Sequence, residues 1–168
     1  MISQTRKKAL SFLSGDGVDL DVDKAIHLLL QGANSGESAC FYDLAETYFD
    51  GVPEDDPKKA LHYLEAAGNT GHGKSCAYMA RIYTNESVFY SPEDLVRPNA
   101  EIAYDWCAKG NELSDPECML KMAQFYLSSE DKERAEITTK KANMSISVEG
   151  VNGLISKKNI ISSATIKA

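Results

Sequence analysis

Two stretches of the chain are near-copies of one another, and this constrains the fold more than any other feature. DKAIHLLLQGANSGESACFYDLAETYFDG, starting at Asp23, and KKALHYLEAAGNTGHGKSCAYMARIYTNE, starting at Lys58, register without gaps at an offset of 35. Ala25 falls on Ala60, His27 on His62, Leu29 on Leu64, Ala45 on Ala80 and Tyr48 on Tyr83. A third copy, EIAYDWCAKGNELSDPECMLKMAQFYLSS, follows the second at an offset of 43, placing Ala103 on Ala60, Trp106 on Tyr63, Met122 on Met79 and Tyr126 on Tyr83. The eight additional residues fall in ESVFYSPEDLVRPN, between copies. Self-similarity at this period marks a solenoid, in which each unit buries its apolar face only by stacking on its neighbours.

Within a copy the apolar spacing is helical, as at Ala25, Leu28, Leu29, Gly32 and at Phe41, Leu44, Ala45, Tyr48. Two antiparallel helices per unit follow, joined by the short Gly-rich turns GANSGES and GNTGHGK. Small residues at Ala45, Ala80 and Ala123 let helix axes approach closely, and Tyr48, Tyr83 and Tyr126 fill the wider gap beyond. The first segment, TRKKALSFLSGDG, matches only a second helix, with Ala9 and Phe12 in the places of Ala45 and Tyr48. Towards the other end DKERAEITTKKAN reads as a polar first helix. SVEGVNGLISKKN is its expected partner, with Val151, Leu154 and Ile155 matching Met119, Met122 and Ala123, and with Gly150 and Gly153 weakening it. The expected organisation is one domain over 1–157, with a half-repeat cap at 1–20, repeats at 21–57, 58–97 and 98–129, a divergent repeat at 130–157, and a tail at 158–168.

These residues resemble the Sel-one-like repeat family, relatives of the tetratricopeptide repeat. The likeness rests on Gly15, Gly17, Val18, Lys24 and Ala25; on Gly51, Val52, Lys59, Ala60, Tyr63, Ala66, Ala67, Met79, Ala80 and Tyr83; and on Ala103, Trp106, Met122, Ala123 and Tyr126. It implies an all-α, right-handed α-solenoid of antiparallel helix pairs, about three full repeats plus partial caps, used to bind other proteins. Cysteine-rich secreted members bridge the two helices of a unit with paired cysteines. Of those positions only Cys76 is cysteine here, its partner position being Ala67, so the resemblance does not extend to that branch.

GDGVDLDVDKAIHLLL, from Gly15, has the alternating carboxylates of a calcium loop. A twelve-residue calcium loop opening at Asp19 requires Gly at its sixth position and Glu at its twelfth; Lys24 and Leu30 stand there. The next unit has Glu54, Asp55, Asp56 and Pro57 at the same place, equally acidic but differently spaced. What the two share is a position at a helix start, where free amide donors and the positive end of the dipole favour carboxylates. Pro57 and Pro98 near helix starts fit the same reading. The expectation is capping, with no metal and no cofactor.

Net charge is −7, which disfavours phosphate backbones and excludes nucleic acid as the expected partner; a basic protein suits it better. Apolar runs of only a few residues cannot cross a bilayer, and the first residues lack the pattern of a secretory signal. Cys40, Cys76, Cys107 and Cys118 contain no C-x-x-C pair and lie on apolar helical patterns, as small buried hydrophobes of a reducing compartment. The expected location is cytoplasmic.

No nucleophile-elbow, phosphate-loop or dinucleotide motif occurs, and the glycines around His72 belong to the repeat's own turn. The chain is therefore expected not to be an enzyme. His27 and His62 share one register position with Asp105, giving a row along the first helices. The expected partner-binding residues are Lys24, His27, Gln31, Lys59, His62, Asp105 and Lys109 on those helices, lining a concave groove, joined by Phe89 and Tyr90 from the 87–97 insertion. The leading expectation is a non-enzymatic adaptor that binds a protein. The alternatives are an immunity protein that neutralises a basic toxin by occluding its active site and, suggested only by the family resemblance, an enzyme or binder acting on cell-wall-like or β-lactam ligands.

Overall fold

The computed structural model describes residues 3–84 and 96–149, which hold eight helices and no strand. In chain order they are α1 (Gln4–Ser14), α2 (Val22–Asn34), α3 (Ser38–Phe49), α4 (Pro57–Asn69), α5 (Gly73–Thr84), α6 (Ala100–Glu112), α7 (Pro116–Ser128) and α8 (Lys132–Glu149). Helices α2–α3, α4–α5 and α6–α7 form the three copies, while α1 takes the place of a second helix and α8 that of a first.

The helix starts are set by short polar side chains. Asp21 accepts from the Lys24 amide and Asp56 from the Lys59 amide, each at 3.0 Å; Asp115 accepts from Cys118 at 2.9 Å and Asp131 from Arg134 at 3.1 Å. Asn99 caps α6. Each bond satisfies a free amide of the first turn and contributes about 1 kcal/mol. The carboxylates that imitate a calcium loop are thus resolved into a cap at Asp21. Pro57 and Pro116 occupy the first turns of α4 and α7, where a missing N–H costs nothing.

Packing is sequential. The broadest contacts join a second helix to the first helix of the next unit, α1 to α2, α3 to α4, α5 to α6 and α7 to α8. Buried alanines recur on the helices flanking each of these seams: Ala9 and Ala25, Ala45 and Ala60, Ala80 and Ala103, Ala123 and Ala135. Inside a unit the two helices cross at small residues. A Cβ added to Gly32 would stand 2.5 Å from Cys40 Sγ, and one on Gly110 would strike Cys118 Sγ and come within 3.0 Å of Cys76 Cβ. In the middle unit the same register is held by Ala67 and Ser75, both fully buried.

The core is accordingly a series of layers. One holds Ala9, Leu29, Ala33, Cys40 and Leu44; the next Ala45, Leu64, Tyr78, Met79 and Ile82; a further one Ala80, Cys107 and Met122. Tyr48 is buried, stacked 5.7 Å from the Tyr63 ring, while Tyr83 and Tyr126 are half-buried. The first two second helices are also tied directly: Arg6 grips Asp43 through Nε to Oδ2 at 2.5 Å and Nη2 to Oδ1 at 2.9 Å, and Asp43 is only 5% exposed.

At the far end α8 places Ala135 and Ala142 in the core. It runs 18 residues against 13 for α6 and takes in Ser147, Val148 and Glu149, which the sequence reading assigned to its partner helix. Gly150, Val151, Gly153, Leu154 and Ile155, like the tail at 158–168, lie outside the described residues.

Candidate functional site

The expected binding residues fall into three structural situations. Lys24 and Lys59 sit in the first turns of α2 and α4 and are committed to local partners. Lys24 Nζ is 3.3 Å from its own cap, Asp21, and 4.7 Å from the ring centre of Phe12 on α1. Lys59 Nζ meets Glu54 at 2.7 Å and Asp56 at 3.2 Å and stands 5.2 Å from the Tyr48 ring on α3. These hydrogen bonds, Glu54 first and Asp56 second, hold its ammonium above the usual lysine range. Arg134 repeats the device with Asp131 and Tyr126, at 3.3 and 5.9 Å. Each is a clasp: a carboxylate caps the helix and orients a cation, which lies on an aromatic ring of the preceding unit. At the α5–α6 seam Asn99 and Ile102 replace the charged pair.

The second group is open to solvent. His27 is exposed and its Nε2 lies 3.3 Å from Gln31 Nε2, one turn along α2. His62 is exposed beside Tyr63, with ring centres 5.6 Å apart, and Asp105 is exposed on α6. Lys109 crosses between units: its Nζ donates to Asn69 Oδ1 at 2.5 Å and lies 5.1 Å from the Trp106 ring. Asn69 was not among the expected residues, and only the fold places it beside Lys109, forty positions away. The third group, Phe89 and Tyr90, lies outside the described residues.

Two apolar positions went unnoticed in the sequence. Ile137 on α8 stands 32 residues after Asp105, the offset that relates Ala135 to Ala103, so it continues the His27, His62, Asp105 register; it is 47% exposed. Met144, two turns further on, is 69% exposed. The spacing was readable, but α8's polar composition hid it.

The cysteines and the His72–Ser75 pair are withdrawn from solvent. Burial pushes the Cys40 thiol up to about 12 and the Cys76 thiol to about 11, and a hydrogen bond with Cys107 together with burial raises Cys118. All four cysteines are buried thiols, so the nucleophilic thiolate is scarce and out of reach. His72 Nδ1 is 2.8 Å from Ser75 Oγ, but Ser75 is fully buried and closed to a substrate. Burial, with Arg6 as the next cause, holds His72 below the usual imidazole range. Among the described residues no group of three or more His, Cys, Asp or Glu is placed to hold a metal ion. No helix among them is long and apolar enough to cross a membrane.

The arrangement can therefore present a strip of exposed side chains on successive first helices, spaced by the repeat, over a core that fixes their positions. Comparison with known proteins agrees with that architecture. The family model for the Sel1 repeat matches residues 9–37, 40–72 and 74–115. No curated protein matches the chain. Among solved structures it is similar to a protective antigen of uropathogenic Escherichia coli strains displaying an SLR fold, with a TM-score of 0.63 and 23% identity over 83% of this chain and 30% of that one. It is also similar to a Sel1 repeat protein from Oxalobacter formigenes, with a TM-score of 0.71 and 19% identity over 84% of this chain and 40% of that one. The chain thus spans 30–40% of the length of these two proteins. Sel1 repeats generally mediate protein–protein interaction, and with three successive repeats across 9–115 this chain belongs to the Sel1 repeat family.

Proposed function

We propose that the protein is a non-enzymatic interaction module that binds a protein partner along the groove formed by its first helices. The observation that carries this reading is the exposed register of His27, His62 and Asp105 on three consecutive units, extended by the Lys109–Asn69 bond between α6 and α4. Side chains in equivalent places on stacked helices form a ladder of fixed rungs, so a partner can be read at several points without any of them moving. The clasped Lys24 and Lys59 act at its edge and orient the rungs more than they bind. The adaptor role, a partner of basic character and a cytoplasmic site of action all belong to this proposal; the net charge of −7 supports the second.

The test is a comparative capture from the native host with the full chain as bait, in wild-type form and as His62→Glu/Asp105→Lys. Both substitutions are at exposed positions and should leave the thermal transition within about 0.5 kcal/mol of wild type. A protein retained by wild type and lost at least tenfold by the variant supports the assignment. An unchanged set of captured proteins rejects this face.

A further inference from the structure

Among the described residues, the cations of the first helices that another side chain holds take a carboxylate in every case but one. Lys24 pairs with Asp21, Lys59 with Glu54 and Asp56, Arg134 with Asp131 and Lys140 with Glu136. Lys109 on α6 is the exception. Asp105 stands four residues before it, the order and spacing at which a carboxylate and a lysine on one helix ordinarily pair, and on α8 Glu136 and Lys140 do so at 2.7 Å. Lys109 turns instead across the unit boundary, where its Nζ donates to Asn69 Oδ1 at 2.5 Å and lies 5.1 Å from the Trp106 ring. A neutral amide and an aromatic face orient the ammonium without cancelling its charge. Asp105 is correspondingly exposed and makes no hydrogen bond or ion pair among the described residues.

Exposed charges without partners are common and carry little by themselves. This pair differs in being held apart by a residue of the neighbouring unit. The result is a cation and a carboxylate side by side on the strip that includes His62, neither neutralised by the other. Four residues span about 6 Å along a helix, and an extended polypeptide sets side chains two residues apart on one face at about 7 Å. One short segment can therefore face both charges with a side chain of opposite sign for each. Lys109 Nζ retains N–H groups beyond the one given to Asn69, and a carboxylate is the acceptor that gains most from them.

We propose that the segment of the protein partner seated on α6 carries two opposite charges, a Lys or Arg side chain that meets Asp105 and an Asp or Glu side chain that meets Lys109. Asn69 is the positioning residue that keeps Lys109 from closing on Asp105. This rests on the partner-binding reading of the first helices and adds to it the chemistry of the segment recognised. It asks for one carboxylate at one place, and so is compatible with a partner that is basic as a whole.

The experiment is an NMR titration of the full chain, labelled with nitrogen-15, with acetylated and amidated tripeptides, followed through the Asn69 side-chain amide and the α6 backbone amides. The probe is Lys-Gly-Glu; Lys-Gly-Gln and Gln-Gly-Glu each lack one of its charges. Lys-Gly-Glu should bind about fivefold more tightly than either, the upper worth of one exposed ion pair. Asn69→Asp, which gives Lys109 a carboxylate of its own, should bring Lys-Gly-Glu down to the level of Lys-Gly-Gln. Asp105→Asn should bring it to the level of Gln-Gly-Glu. Both substitutions keep side-chain size at exposed positions, where the fold tolerates change. Equal affinity of the wild type for all three peptides overturns the proposal, as does a preference that survives both variants. The two readings fail separately. A host protein captured by wild type and lost by His62→Glu/Asp105→Lys, with no preference among the peptides, overturns the charge pairing and leaves the groove; the peptide preference with an unchanged set of captured proteins supports the pairing and removes the groove.

Discussion

Asp43 is a carboxylate inside a helical stack, and it is tolerable there only because Arg6 meets both of its oxygens. Removing one partner of such a pair leaves a buried charge uncompensated. Arg6→Ala should therefore destabilise the protein by about 3 kcal/mol in chemical denaturation, near the lower limit for buried pairs because Arg6 is itself 20% exposed. Replacing both partners, as Arg6→Met/Asp43→Leu, should recover most of that loss. His72 gives a pH dependence. It fills the cap position of α5, its ring is 4.7 Å from that of Tyr42, and Arg6 and Lys74 oppose its protonation more than Asp43 and Asp115 favour it. Its folded pKa lies below the unfolded value, so the unfolded chain takes up the proton first. The His72 contribution is complete above about pH 6.5 and is lost as pH falls below it. Thermal unfolding at pH 7.5 and 5.5 should show a larger drop for wild type than for His72→Asn; equal drops would remove His72 as the cause.

At the scale of helices, the crossing inside each unit turns on one close approach. Ala is the better helix former than Gly by about 1 kcal/mol, yet Gly32→Ala forces its methyl group against Cys40 Sγ, and overpacking of this kind costs about 1–3 kcal/mol. The net effect should be destabilising, and Cys40→Ala in the same chain should relieve it, a coupling readable from a double-mutant cycle of denaturation midpoints. The repeat phase was legible in the sequence because alanines and tyrosines recur at fixed offsets, and Asp21 and Asp56 were legible as caps because carboxylates there precede an apolar period. Arg6–Asp43 was not. The residues equivalent to Asp43 in the other units are Tyr78 and Lys121, so the pair repeats nowhere and no period announces it. Lys24 and Lys59 were recognisable as surface residues, but their engagement with Asp21, Asp56 and the rings of Phe12 and Tyr48 depends on the seam between units, which a single-helix pattern does not show. The length of α8 was misjudged because Gly150 and Gly153 suggest a weak new helix and do not mark where the preceding one stops.

Across the whole molecule each layer touches only the next, so damage should spread outward from where it is made. Leu64, 1% exposed in the middle unit, is the most telling position. Leu64→Ala should cost about 2–4 kcal/mol, and hydrogen exchange should quicken in α3 and α5 on its two sides before it does so in α1 or α8. Uniform acceleration along the chain would mean a single cooperative block instead of coupled layers. The clasps that join one unit to the next have a consequence for how such a chain can change length. Because cap, cation and ring straddle the α1–α2 and α3–α4 boundaries in the same register, excising residues 21–55 would bring Asp56 directly after Leu20 and lay Lys59 over Phe12. The splice would regenerate an intact fastening, and among the ties lost are the private ones of Arg6 with Asp43 and of Ser3 with Glu37. Gain or loss of a 35-residue module is thereby made a conservative edit, open to recombination without redesign of the joints.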